Sequence, residues 1–279
     1  MKQFRLREGD VTALDTKTQL TTAGSDTAPG PLMVPQEMKF ITSITLGALQ
    51  NMAAATGYSA FIRLEGSGLQ NGPESFCAGA GGNAVATGGN GVVETTKIKV
   101  NIPVIEASEI QIFGEMAGTD IGGLGIVVGL EFSNAAGEGT SENKTITVEG
   151  DIASVDTRTA LTTQGSVASP SLLVPAGYTK LDKIIVSAAT EGLADGKQSY
   201  FLRLGGNAVK GGEQLIPISV VGRIAPQAGS DSAPQYCYPI VREDLQIEVS
   251  SSDTISVWVE GAGDDTGTGH ACVTLIFAK

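Results

Sequence analysis

Residues 9–25 read GDVTALDTKTQLTTAGS, and residues 150–166 read GDIASVDTRTALTTQGS. The two stretches align without a gap, and ten of the seventeen positions are identical. Val11/Ile152, Leu14/Val155 and Lys17/Arg158 are conservative exchanges. Such a match within one chain marks an internal duplication.

The match extends outward on both sides. Lys2–Glu8 (KQFRLRE) and Lys144–Glu149 (KTITVE) are alternating strands that run into the shared Gly-Asp, with Phe4 and Leu6 on one face. PLMVP (31–35) lies on PSLLVP (170–175), where proline suits an edge strand or strand end. MKFITSITL (38–46) and TKLDKIIVSA (179–188) are strands. Segments 48–56 and 189–195 are expected to be short helices or irregular loops. YSAFIRLEG (58–66) lies on SYFLRLGG (199–206), and the period of two turns Arg63 and Arg203 away from their apolar neighbours. Ile102–Ile105 aligns with Tyr238–Val241, and Glu109–Ile112 with Asp244–Ile247. Gly114–Phe132 lies on Val259–Phe277. The middle diverges. The first copy has the Gly/Ala-rich run 77–91, and the second has a strand, EQLIPISVVG (213–222), then a Pro/Ser/Gly loop. Loops 78–91 and 225–235 are where specialised contacts are expected.

About eight strands per copy, with turns every 8–15 residues, predict an all-β chain of two tandem, duplicated antiparallel β-sandwiches. Eight strands in about 140 residues favour jelly rolls. An immunoglobulin-like sandwich is the alternative, but no Cys–Trp–Cys pattern supports it. The expected boundaries are a first roll at 1–133, a polar Gly-rich linker at 134–143 and a second roll at 144–279. Gly at 37 of 279 residues and aromatics at 5% suit short strands and tight turns.

The net charge of −12 repels phosphate backbones and argues against direct sequence-specific nucleic-acid binding. The N-terminus lacks the apolar run of a signal peptide, so a soluble protein made in the cytoplasm is expected. Cys77, Cys237 and Cys272 are odd in number and show no metal-type spacing. They read as free, buried, small hydrophobes, with a disulfide between two of them left open. His270 is the only histidine, too few for most metal sites or a triad, and is expected to be a surface or core residue. No GxSxG, HExxH or GxxxxGK[ST] motif occurs. Asp264-Asp265 and Asp120 share one loop position, where oxygen ligands for calcium are conceivable, yet EF-hand spacing is absent and a solvated turn is expected. Asp10, Asp15 and Thr16, with Asp151, Asp156 and Thr157, fit turn and side-chain-to-backbone capping chemistry. Trp258 alternates with Val257 and Val259; it stacks on a sugar in a glycan-binding reading, and packs under a loop or a neighbouring subunit otherwise. No catalytic, cofactor-binding or metal-ligating residue is assigned, and no cofactor is expected.

This organisation, two tandem jelly rolls in one chain without catalytic residues or signal peptide, resembles the double jelly-roll major capsid proteins of tailless icosahedral viruses, the adenovirus-like lineage. The resemblance covers the whole chain and carries no diagnostic motif. The halves here are more alike than that family's usually are. It implies a virion structural protein made in host cytoplasm, a homotrimer forming pseudo-hexagonal capsomers with lateral contacts, and minor capsid or vertex proteins and an internal membrane as further partners. The N-terminal strand would alternatively run beneath the shell toward a neighbour or a membrane. An extracellular carbohydrate-binding or adhesive module and a cupin-like enzyme are the competing readings; the first needs exposed aromatics or calcium, the second several histidines.

Overall fold

Alternating β-branched and polar residues become strands along most of the chain, because a pleated surface buries every second side chain. The computed structural model describes residues 1–26, 31–51, 58–82, 95–118, 123–137, 141–152, 156–168, 170–190, 197–222, 235–237, 239–243, 245–263 and 269–279. Among them are strands and no helix.

The first half holds β1 (Lys2–Val11), β2 (Thr18–Gln19), β3 (Leu32–Met33), β4 (Phe40–Asn51), β5 (Tyr58–Glu65), β6 (Glu74–Gly82), β7 (Thr96–Pro103), β8 (Glu109–Gly118) and β9 (Gly123–Ser133). The second holds β10 (Asn143–Ile152), β11 (Arg158–Ala160), β12 (Lys180–Thr190), β13 (Lys197–Gly205), β14 (Gln214–Gly222), β15 (Gln235–Cys237), β16 (Ile240–Arg242), β17 (Ile247–Glu248), β18 (Ser256–Gly263) and β19 (Gly269–Ala278). One sheet of the first half runs β1-β9-β4-β7, and its partner runs β6-β5-β8-β2, with β3 also on β8. The second half repeats this as β10-β19-β12-β16, with β17 also on β12, and β11-β18-β13-β14. With β2/β3 and β16/β17 each counted as one strand, and β15 set aside because it pairs with β6 of the first half, both halves have the order first-eighth-third-sixth over second-seventh-fourth-fifth. That is the jelly-roll order. In the following, the sheet of β1 or β10 is the first sheet of its roll, and the sheet of β5 or β13 the second.

The duplicated block now has a physical explanation. Asp15 and Asp156 adopt positive φ (50° and 54°), a conformation that aspartate tolerates better than most residues. Leu20 and Leu161 enter the cores. Thr22 and Thr163 donate their hydroxyls to the carbonyls of Glu8 and Glu149. The Gly24 and Gly165 amides donate to the carboxylates of the same two glutamates. Each block thus ties its turn back to the first strand of its roll. The bulges repeat as well: β4 and β12 carry one after Ile41 and Leu181, and Ala60/Phe61 and Tyr200/Phe201 mark another.

Several sequence expectations change. Residues 48–51 and 189–190 extend β4 and β12 as strand, and the rest of those segments lies outside the described residues. The Gly/Ala-rich run begins as strand β6, because small residues suit the close packing described below. β1 pairs with β9 along its whole length, so it lies in the sheet and does not run beneath the molecule. The alignment of Ile102–Ile105 with Tyr238–Val241 is displaced. Ile102 pairs with Ile41 and Ile247 with Leu181, while Ile41 and Leu181 sit beside Phe132 and Phe277. Ile102 therefore corresponds to Ile247, and Glu109–Ile112 to residues 254–257. Short Ile/Val runs of period two resemble one another in many registers, and only the pairing partner selects one.

Candidate functional site: the contact between the two rolls

The rolls meet through different faces. β6, beside β5 in the second sheet of the first roll, lies against the outer face of β10, β19 and β12 in the first sheet of the second roll. An edge strand offers unpaired N–H groups, which must find acceptors when buried. Here hydroxyls receive them: Ser75 N donates to Thr145 Oγ1 (2.9 Å), Cys77 N to Thr274 Oγ1 (2.7 Å) and Ala80 N to Ser187 Oγ (2.8 Å). These three acceptors come from β10, β19 and β12 in turn. Beyond them, β15 of the second half pairs with β6 at residues 80–82 and extends that sheet across the boundary. Ile185, Cys272 and Ile276 of the second roll join the apolar cluster of the first. Every residue of β19 is buried as a result. Its counterpart β9 keeps the ordinary alternation over residues 124–130, with Val127 and Gly129 half-buried between buried neighbours.

The second point of contact is the turn of the duplicated block. Arg63 and Glu115 form an ion pair at 2.8 Å on neighbouring strands β5 and β8. Arg63 Nη1 donates to Gln164 Oε1 (3.1 Å) and Nη2 to the Gln164 carbonyl (2.8 Å). Ser166 Oγ donates to Glu115 Oε1 (2.6 Å), and Gln164 Nε2 donates to Ser75 Oγ (2.8 Å). Between them, Gly165 lies so close to Phe61 that a Cβ there would collide with the ring.

A third cluster carries buried charge. Glu74 Oε2 accepts from Thr145 N (2.7 Å) and Thr145 Oγ1 (2.6 Å), and Oε1 accepts from Lys144 Nζ (3.0 Å). Burial raises the Glu74 carboxyl to about 7, against the pull of Lys144 and Thr145. Nearby, Asn71 Nδ2 donates to the Tyr178 hydroxyl, whose pKa is pushed up to about 12 by burial and by Glu74 and Glu142. Cys77 and Cys272 are free and buried where the two rolls touch, and burial beside Cys77 drives the Cys272 thiol well up. This cluster can bind one roll to the other; it presents no nucleophile to solvent.

The residues singled out in the sequence are placed as follows. His270 is buried in β19, 2.8 Å from Asp151 across the strand pair. Asp10 is exposed, and the Thr16 hydroxyl donates locally to the Leu14 carbonyl. Trp258 is half-buried, and the Arg158 guanidinium lies 4.8 Å from the ring centroid, covering a face that glycan stacking would use. Asp120, Asp264 and Asp265 lie outside the described residues, as do most of 78–91 and 225–235 and the Cys237 side chain. Among the described residues no group of three or more His, Cys, Asp or Glu is placed to hold a metal. Sequence reasoning read the duplicated block as turn chemistry alone and missed its second use. An arginine in an apolar strand needs a partner, but Arg203 stands in the same local sequence as Arg63, so that feature does not single out the contact.

No protein-family model and no curated protein matches the chain. Among solved structures it is similar to the major capsid protein P2 of bacteriophage PM2, at 9% identity over 100% of this chain and 97% of that one, with a TM-score of 0.32. It is also similar to the cryo-EM structure of broad bean stain virus, at 8% identity over 99% and 88%, TM-score 0.34. A third is the tandem CBM22 domains of Xyn10C from Paenibacillus barcinonensis, at 10% identity over 100% and 93%, TM-score 0.23. Likeness at this level assigns neither family nor function; the chain's own strand order is what establishes two jelly rolls in tandem.

Proposed function

We propose that the chain is a self-assembling structural protein, the major capsid protein of a virion. Its role is structural and not catalytic. The observation that carries this reading is the heterologous contact between the rolls. A face of one kind on the first roll is buried against a face of the other kind on the second, with charged and polar groups paired across it. Two similar jelly rolls locked side by side form a rigid tile, and three such tiles make a pseudo-hexagonal trimer. The resemblance to double jelly-roll capsid proteins points the same way. In this reading the protein is made in the host cytoplasm and resides in the capsid. Its first partner is itself, within trimers and between capsomers; minor capsid or vertex proteins and an internal membrane are the others.

The test is the native mass of the purified chain by light scattering on a sizing column, with negative-stain imaging of the same peak. Trimers, or larger particles with hexagonal outlines, are the expected result. A monomer at every salt and protein concentration would overturn the proposal.

A further inference from the structure

The contact between the rolls uses one face of each, and the duplication supplies the other two. On the second roll, the edge strand β14 and the pair Arg203–Glu260 correspond to β6 and Arg63–Glu115. On the first roll, the outer face of β1, β9 and β4 and the turn at Gly24 correspond to the outer face of β10, β19 and β12 and the turn at Gly165. Strand registers fix the correspondence. Phe61 stands opposite Cys77 and Glu115, and Phe201 opposite Pro217 and Glu260. Leu6 stands opposite Gly129, and Thr147 opposite Thr274.

We propose that these two remaining faces bind one another between copies: β14 and the Arg203–Glu260 pair of one molecule dock on β1, β9 and the Gly24 turn of the next. This rests on the self-assembling reading above and specifies the surfaces that it uses.

The argument is that residues on the two remaining faces have changed in step. Ser75 touches Gln164 inside the chain; their counterparts are Leu215 and Ala23, so a polar pair becomes an apolar pair. Cys77 gives its N–H to the Thr274 hydroxyl; the counterparts are Pro217, which has no N–H, and Gly129, which has no hydroxyl. Glu74 and Lys144 form an ion pair; their counterparts are Gln214 and Gln3, two amides able to bond to each other. Thr145, covered by β6, corresponds to Phe4, which is 65% exposed. Leu215 is 55% exposed and would meet Phe4 and Ala23 across the proposed contact. The Arg–Glu–Ser part of the clamp has not changed. Arg203 Nε lies 2.5 Å from Glu260 Oε2, partly exposed, and Ser25 stands in the place of Ser166, while Arg203 Nη1 bonds to Glu213 where Arg63 Nη1 bonds to Gln164. Gly24 has positive φ like Gly165, but nothing lies within 4 Å of where a Cβ would stand, so the space that Phe61 fills beside Gly165 is open for Phe201 of a second copy. None of these partners touches its counterpart within the chain. Complementary change between surfaces that do not meet in one molecule is what a contact between two molecules produces.

The experiment compares Phe4→Glu, Leu215→Lys and the double variant with wild type by light scattering across a concentration series. Both side chains are exposed, and circular dichroism checks that each variant keeps the wild-type fold. Each single change should abolish the oligomer at concentrations where wild type is fully assembled, since it buries a lone charge against an apolar partner. The double variant should restore it, because the new charges meet across a head-to-tail contact. Wild-type assembly that both single variants retain would overturn the proposed contact and leave the self-assembling reading standing. Single variants that dissociate without rescue in the double variant would overturn the pairing of Phe4 with Leu215. A wild-type chain that stays monomeric would overturn both.

Discussion

Arg63 and Glu115 meet 2.8 Å apart beneath the second roll, with the Glu115 side chain fully buried. Arg203 and Glu260 make the same pair in the second roll, with side chains 26% and 21% exposed. The same chemistry at the same place in two rolls therefore has two different energetic weights. Removing one partner of a buried pair strands the other charge, whereas a solvated pair loses little.

Arg63→Ala should therefore destabilise the chain by about 3–5 kcal/mol, since Glu115 keeps no cation and Gln164 loses two donors. Arg203→Ala should cost far less in the dissociated chain, because water and salt screen both pairs it breaks, with Glu260 and with Glu213. Urea unfolding of both variants at low protein concentration measures the difference. Equal losses would contradict the assignment of Arg63 to a buried contact.

The two turn glycines make a second matched pair. Both have positive φ, so alanine costs roughly 1–2 kcal/mol of backbone strain at either position. Gly165→Ala must in addition displace Phe61, while Gly24→Ala meets open space. Thermal unfolding of the dissociated chain should show a clearly larger drop for Gly165→Ala.

Thr274→Val keeps the shape of the side chain and removes the hydroxyl that accepts from Cys77 N and pairs with Thr147 Oγ1. A buried N–H without an acceptor costs about 1–3 kcal/mol. Hydrogen exchange provides a local reading: the Cys77 amide should lose protection by more than amides in the second roll's core.

Glu74 links stability to pH. Its folded pKa, about 7, lies above the ordinary value of 4.5, so the folded state holds the proton more tightly. Stability must then fall as pH rises from about 4.5 to about 7, and level off above that. The loss is about 3 kcal/mol. Glu149, raised chiefly by burial, acts with the same sign. Glu131 acts in the opposite sense. Burial opposes its ionisation, but hydrogen bonds from Lys2, Lys97 and Ser43 outweigh that and hold it at about 2, so its contribution is lost as pH falls below about 4.5. Glu74→Gln, which installs the residue the second roll already has at Gln214, should flatten the decline between about pH 5 and pH 8. Urea midpoints of wild type and variant at those two pH values check it; an unchanged slope would refute the role of Glu74.

The duplication, the all-β class and most strands were legible in the sequence, because period-two patterning and turn residues act locally. Asp15 with Asp156, and Gly24 with Gly165, recur because each copy needs the same backbone at the same place. The sixth strand of each roll was misaligned for the converse reason: Ile102 and Tyr238 lie in similar apolar runs, and pairing with β4 or β12 is a long-range choice. The interface was not legible at all. Arg63 and Arg203, or Gly24 and Gly165, are the same residue in the same local sequence, and only packing makes one buried and the other open. Local sequence sets which face of a strand a side chain occupies. Which of two equivalent faces is covered depends on where the other roll sits, and that is decided by contacts between residues 42 to 197 positions apart.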